Sequence, residues 1–82
     1  MEKQELTVLK IEDLHLFPGN PFHLVEDEQL MELSESIKEF GMAAPILTRL
    51  AENGDGYEVI AGQRRVRAAE LAGIESVPAF IV

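Results

Sequence analysis

The sequence has 82 residues with 15 acidic and 7 basic side chains. Its formal net charge of −8 argues against nonspecific binding to nucleic acid, which requires an excess of Lys and Arg. A chain of this length forms a single domain, here 1–82, and the lack of cysteine excludes disulfides, thiolate zinc sites and cysteine nucleophiles. Since it has neither a membrane-spanning apolar run nor a signal-peptide core, we expect a cytoplasmic protein without a membrane partner.

The first quarter of the chain is predicted to hold a strand and an irregular loop. Residues 6–11 are apolar and partly β-branched, which is typical of a short strand. Residues 14–22 contain two prolines, a glycine and an asparagine, which interrupt regular structure. We therefore predict an ordered loop with apolar anchors over 14–22.

The stretch 26–40 is the clearest predicted helix. Its first turn is acidic, as the helix dipole favours, and Gly41 follows where a left-handed cap residue is expected. Its apolar residues recur at three- and four-residue steps: Leu30, Met31, Leu33, Ile37 and Phe40. The large apolar residues that we assign to the core include Met31, Phe40, Met42 and Phe80.

The second half of the chain completes an α+β pattern. Residues 45–50 and 57–60 are predicted strands, and the turn residues 52–56 between them favour an antiparallel hairpin. A helix over 62–72 and a last strand over 77–82 follow. The order β-α-β-β-α-β predicts an α+β fold, a small mixed sheet with helices on one face.

Three of the four arginines lie in Gly62-Gln-Arg-Arg-Val-Arg67, where a strand turns into a helix. A helix N-terminus offers unpaired backbone N–H groups and a partial positive charge, and glycine lets an anion approach closely. Arginine adds a planar fork that matches phosphate oxygens. The cluster therefore predicts an anion site for a nucleotide, a phosphorylated metabolite or DNA phosphate.

Helical geometry separates the three arginines. At 100° per residue, Arg64 and Arg65 fall within the span of the apolar face, so each needs a carboxylate, carbonyl groups or a bound anion as partner. Arg67 lies on the opposite face, three residues before Glu70, with which it can form an ion pair. The alternative for Arg64 and Arg65 is purely structural: ion pairs with acidic residues, or side chains that extend along the sheet edge.

Two stretches of the chain resemble the N-terminal domain of the ParB family of bacterial partition proteins. The first is Phe17-Pro-Gly-Asn-Pro-Phe22 followed by the helix with Leu33-Ser-Glu-Ser-Ile-Lys-Glu-Phe-Gly41. The second is Ile60-Ala-Gly-Gln-Arg-Arg-Val-Arg-Ala-Ala69, which is similar to the family's Gly-Glu-Arg-Arg box. The resemblance spans nearly the whole chain and implies the ParB/sulfiredoxin-like fold.

The resemblance also implies a function. It implies a domain that binds CTP with Mg²⁺ and regulates a DNA-sliding clamp, with Gly62, Gln63, Arg64 and Arg65 on the phosphates; Arg67 and Ala68 complete the motif. It further implies a longer, dimeric, nucleoid-associated DNA-binding protein, of which this chain is a fragment. That protein has a following helix-turn-helix domain, a C-terminal dimerisation domain and a ParA-type ATPase partner.

The sequence departs from the family pattern in three places. Gln63 replaces the usual acidic residue, so we expect altered hydrolysis or phosphate geometry, and no catalytic residue is assigned to this chain; the parent protein is at most a weak CTPase. The loop lacks the family's arginine, which leaves His23 as the nearby cation, with Asn20 as a further loop contribution. A second phosphate motif of the family lies beyond Val82.

Two enzyme classes share this fold. Sulfiredoxin chemistry needs a cysteine, which this chain lacks. A small-molecule phosphotransferase of the serine-kinase kind is the alternative function, with Glu12, Asp13 or Glu58 as candidate base. The spacing of His15 and His23 does not favour a metal site, and nothing in the sequence favours a nuclease.

Overall fold

The computed structural model describes residues 6–16 and 27–82. Within these ranges a 3₁₀ turn, Ile11–Asp13, joins the first two strands, and no helix is both long and apolar enough to cross a membrane. The elements in chain order are β1 Leu6–Lys10, β2 Leu14–Leu16, α1 Glu28–Phe40, β3 Ile46–Leu50, β4 Tyr57–Ala61, α2 Gln63–Leu71 and β5 Ser76–Ile81.

The strands form one mixed sheet in the order β1-β5-β3-β4-β2. Strand β5 lies between β1, to which it is antiparallel, and β3, to which it is parallel. The predicted antiparallel hairpin of β3 and β4 is confirmed, with a register shift between Leu47 and Thr48. The loop predicted over 14–22 is wrong at its start, because Leu14–Leu16 pairs in parallel with β4 as β2. Residues 17–22 lie outside the described part of the chain.

Both helices cover the same face of the sheet, and the α+β fold class is confirmed. Helix α1 packs along α2, and both helices share one apolar core with the sheet. The buried residues of that core are Leu9, Leu30, Ile37, Ile46, Val59, Ala68, Ala69, Val77 and Ala79. Because residues alternate along a strand, the other face of the sheet carries the residues between these, Glu58 and Phe80 among them.

Three of the residues assigned to the core from sequence lie elsewhere. Phe40 is 79% exposed because it ends α1 where the chain turns at Gly41, and Met31 is 51% exposed because it lies about 100° around the helix from the buried Leu30. Phe80 is half-buried on the face of the sheet away from the helices. Met42 packs against the core as predicted.

Candidate functional site at the start of α2

Gly62 forms the junction between β4 and α2. It is the N-cap of α2 in the left-handed region, with φ 104° and ψ 23°. A β-carbon there would lie 2.7 Å from Cγ2 of the fully buried Ile46. The close packing on β3 and the positive φ both require glycine at this position.

The two helices differ in whether a side chain accepts hydrogen bonds from the backbone N–H groups of the first turn. Asp27 caps α1, with its Oδ1 accepting a hydrogen bond from the Leu30 N–H at 2.9 Å. In the described part of the chain, no side chain caps α2, and its first turn has no acidic residue. The backbone N–H groups of this turn are therefore available to an anion.

Arg64 reaches from the first turn of α2 to the start of α1. Its Nη2 donates to Asp27 Oδ1 at 3.0 Å, and both side chains are partly exposed. The hydrogen bond from the Leu30 N–H, and then that from Arg64, hold the pKa of the Asp27 carboxyl below its ordinary value of 3.8. Arg64 therefore has a carboxylate partner within the chain, which is the structural alternative named in the sequence analysis, and the anion site at Arg64 stays a prediction.

Arg65 finds its partners in backbone carbonyl groups. Its Nη1 donates to the carbonyl oxygens of Ala44 and Pro45, each at 3.0 Å. Its Nη2 lies 3.1 Å from the place where a β-carbon on Gly62 would stand. The guanidinium thus ties the first turn of α2 to the segment that enters β3, and it lies beside the glycine of the motif.

Gln63 folds back onto the end of β4. Its Nε2 donates to the carbonyl oxygens of Val59 and Ile60 at 3.4 and 3.3 Å, which are long hydrogen bonds. A glutamate at this position could not donate to either oxygen. The amide of Gln63 therefore suits the local backbone in a way that a carboxylate would not.

The remaining motif residues lie further along α2. Arg67 pairs with Glu70 at 3.5 Å, as predicted, and this pair lines an open cavity of about 190 Å³ between α2 and residues 11–15. Ala68 is fully buried in the core, so its methyl group is not offered to a ligand. The structure thus brings Gly62, Gln63, Arg64 and Arg65 together at the helix start and leaves the side chain of Ala68 outside that group.

The other candidates from the sequence are placed as follows. Asn20 and His23 lie outside the described residues. Glu58 is buried on the sheet face away from the helices, where its Oε2 accepts a hydrogen bond from Nε of Arg49 at 2.9 Å and forms an ion pair with Nη2 at 2.9 Å. Glu12 and Asp13 are exposed in the 3₁₀ turn. Glu58 is therefore committed to an ion pair remote from the helix starts.

The donor set at the start of α2 suits an anion rather than a cation. It consists of guanidinium and backbone N–H groups, which match phosphate oxygens. Within residues 6–16 and 27–82, no group of three or more His, Cys, Asp or Glu side chains could hold a metal ion. The described residues therefore fit a polyphosphate and do not themselves fit Mg²⁺.

The sequence analysis missed Asp27 as a site residue. It lies within the predicted acidic first turn, but its side chain caps the helix from the residue before it. An aspartate directly before an amphipathic helix is a standard capping signal, so the cap could have been predicted. The contact with Arg64 could not, because 37 residues separate the two in sequence.

The sequence is similar to several bacterial partition and nucleoid occlusion proteins. The chain is 48% identical over 73 residues to a chromosome-partitioning protein ParB of Myxococcus xanthus, covering 89% of this chain and 24% of that protein. It is 38% identical to the stage 0 sporulation protein J of Bacillus subtilis over 99% of this chain and 28% of that protein. A nucleoid occlusion protein of Oceanobacillus iheyensis is also 38% identical, over 94% of this chain and 27% of that protein. The chain thus spans about a quarter of the length of these relatives.

Comparison with solved structures agrees. C-terminally truncated ParB of Caulobacter crescentus, complexed with CTP-γ-S, superposes with a TM-score of 0.86 at 37% identity, covering 95% of this chain and 44% of that one. The same protein complexed with the centromeric parS site gives 0.86 at 38% identity, covering 93% and 40%. Sulfiredoxin of Arabidopsis thaliana, at 21% identity and a TM-score of 0.74 over 95% of this chain and 84% of that one, shares the fold.

The family assignment rests on the whole length of the chain. The family model described as the ParB N-terminal domain matches residues 1–82. The matched span includes the start of α2 with Arg64 and Arg65 in its first turn. The chain therefore belongs to the ParB N-terminal domain family.

Proposed function

We propose that the domain binds the phosphates of CTP at the start of α2 and that its parent protein uses this binding to regulate clamping on DNA. The observation that carries the proposal is the helix start without a side-chain cap among the described residues, which has Arg64 and Arg65 in its first turn. The complex of the Caulobacter crescentus relative with CTP-γ-S supports a cytidine nucleotide as the ligand.

Each motif residue has a proposed part in binding. Gly62 starts the helix at a positive φ and leaves room for the guanidinium of Arg65 beside the site, the N–H groups of Gln63 and Arg64 donate to the phosphates, and the guanidinium groups of Arg64 and Arg65 neutralise their charge. Arg67 and Ala68 support the helix, one through its pair with Glu70 and the other through close packing in the core. Mg²⁺ would be held by phosphate oxygens and water, as is usual for this ion.

The partners of the parent protein are part of the same proposal. The relative bound to parS supports DNA recognition by a domain outside this chain, and the names of the partition and nucleoid occlusion relatives support a cytoplasmic, nucleoid-associated location. We further propose that the parent protein is a homodimer and acts with a ParA-type ATPase. We do not expect this acidic domain to read DNA sequence directly.

Titration with CTP, ATP, GTP and UTP tests the nucleotide. We expect the backbone amide resonances of residues 62–66 to shift on addition of CTP at lower concentration than with the other three nucleotides, with matching calorimetric affinities. Equal shifts with all four would contradict the CTP preference while supporting a phosphate site. Shifts confined to residues away from the start of α2 would overturn the site.

A further inference from the structure

The Asp27 carboxylate joins the starts of the two helices. Its Oδ1 accepts one hydrogen bond from the Leu30 N–H at 2.9 Å and another from Arg64 Nη2 at 3.0 Å. The carboxylate therefore caps its own helix and at the same time neutralises an arginine of the neighbouring helix. Asp27 is 42% and Arg64 33% exposed at the side chain, so both groups remain accessible to a ligand from solvent.

In the structure Arg64 binds the carboxylate of Asp27, whereas the proposed function requires it to bind a phosphate of the nucleotide. Arg64 uses one of its five N–H donors on Asp27, and a phosphate is bound best by the two parallel donors of the guanidinium fork, so the two anions compete for the orientation and the charge of this side chain. A phosphate would gain more, because the N–H groups of the first turn of α2, which no described side chain caps, are added to the guanidinium. The Asp27 carboxylate is held in place by the hydrogen bond from the Leu30 N–H. Among the described contacts it accepts from α2 only through Arg64, and from no backbone N–H group of that helix.

We propose that Asp27 is a built-in competitor of the nucleotide: it holds Arg64 in the empty site and gives it up to the phosphates on binding. The inference rests on the proposed function, because it concerns the regulation of that same site. It has two consequences. Asp27 lowers the affinity of the site for polyphosphates. Nucleotide binding breaks the hydrogen bond from Arg64 to Asp27 and leaves the helix cap, the hydrogen bond from the Leu30 N–H to Asp27, in place.

The substitution Asp27→Asn separates the two bonds. Asparagine caps a helix about as well as aspartate, so the fold is retained, but it carries no charge to hold the guanidinium. We expect Asp27→Asn to bind both CTP and inorganic tripolyphosphate about two- to fivefold more tightly than the wild type, the range of an exposed ion pair. Cytidine, which has no phosphate, should bind equally to both proteins.

Glu28→Gln is the matched control. Glu28 is an exposed acidic residue in the first turn of α1, next to Asp27, and the described Arg64 contact is to Asp27. Its loss removes the same charge from the same region without freeing Arg64, so we expect an affinity within about 1.5-fold of the wild type, as a screened surface charge gives. If both variants gained the same affinity, the cause would be the change in net charge and not the release of Arg64, and the proposal would be overturned.

Two further outcomes are decisive. If the wild type binds CTP and tripolyphosphate but Asp27→Asn binds them equally or more weakly, Asp27 does not compete with phosphate and the inference fails while the proposed function stands. If neither the wild type nor the variant binds either ligand in a parent protein that extends past Val82, both the inference and the proposed function fail. Calorimetry gives the affinities, and the Leu30 amide resonance shows whether the cap persists in the variant and in the complex.

Discussion

Nη2 of Arg65 lies 3.1 Å from the position that a β-carbon on Gly62 would occupy. The motif glycine and the second motif arginine are thus packed against each other before any ligand arrives. This arrangement gives Gly62 two roles, since the same missing side chain leaves room for Ile46 beneath it and for the guanidinium above it.

Gly62→Ala should be more destabilising than Gly73→Ala. Both glycines have positive φ, but a β-carbon on Gly73 meets nothing within 4 Å, whereas on Gly62 it meets the buried Ile46 at 2.7 Å. We expect a loss of about 1 kcal/mol for Gly73→Ala from backbone strain and about 3 kcal/mol for Gly62→Ala from strain and overpacking. Urea denaturation measures both, and equal losses would show that Ile46 moves aside at little cost.

Arg64→Ala should lose nucleotide binding, whereas Arg67→Ala should retain most of it. Arg64 lies in the first turn of α2, which no described side chain caps, and Arg67 forms an ion pair with Glu70 beside the cavity that Ile11 and Leu14 line. A charge-assisted hydrogen bond to phosphate contributes about 1.5–3 kcal/mol, which corresponds to a roughly 10- to 150-fold weaker affinity for Arg64→Ala. Calorimetry with CTP distinguishes the two variants. Equal losses would contradict the assignment of these arginines to different faces of α2.

Gln63→Glu should raise the rate at which CTP is hydrolysed. The carboxylate cannot donate to the Val59 and Ile60 carbonyl oxygens, so it should turn away from β4 and become available as an oxygen ligand or base. We expect a higher rate of CTP hydrolysis in the parent protein, measured as phosphate release. Gln63→Ala is the control, because it removes the same hydrogen bonds without adding a carboxylate. A rise in both variants would mean that the amide merely obstructs the site.

The pair of Arg49 and Glu58 should contribute to stability and not to binding. Glu58 is only 5% exposed, so Arg49→Met leaves a buried carboxylate without this arginine and should cost about 2 kcal/mol, less than for a fully buried pair because Arg49 is partly exposed. The double substitution with Glu58→Leu should recover most of the loss. Urea denaturation tests this. A loss of CTP affinity without a loss of stability would contradict the placement of Glu58 on the face away from the site.

The contribution of Asp27 to stability should depend on pH. Its pKa is lowered in the folded protein, by the hydrogen bond from Leu30 first and by Arg64 second. A lowered folded pKa means that the stabilisation by the charged form is complete above the ordinary value of 3.8 and disappears as the pH falls through the folded pKa. The stability difference between wild type and Asp27→Asn should therefore be constant near neutral pH and shrink in acid. A difference that persists unchanged in acid would contradict this cause.

The elements that were predicted best from the sequence are those long enough to show a repeated pattern of apolar residues. Helix α1 was predicted to within two residues because Leu30 and Ile37 repeat on one face, and the hairpin of β3 and β4 because turn residues separate two apolar runs. Strand β2 was missed because three residues cannot display an alternating pattern. The exposure of Phe40 was missed because periodicity gives a direction around a helix, not the point along it where the core ends.

The same limit applies to the site. The glycine and arginines at the start of α2 were predicted because they are neighbours in sequence and their helix position follows from local signals. Their partners were not, because the Ala44 and Pro45 carbonyl groups lie at least 20 residues from Arg65, and only the folded chain brings them within 3.0 Å. Local chemistry could be predicted from the sequence, whereas the identity of each long-range partner required the structure.

The position of β5 in the sheet has a consequence for synthesis of the domain. Its residues pair with Leu6–Lys10 on one side and with β3 on the other, so the sheet cannot close until the last residues of this span have left the ribosome. Until then Leu6 and Val8 remain without their partner strand, and the nascent chain carries an unpaired β-strand edge. Ribosome-bound chains that stop short of β5 should therefore be the species most sensitive to protease and most dependent on chaperones.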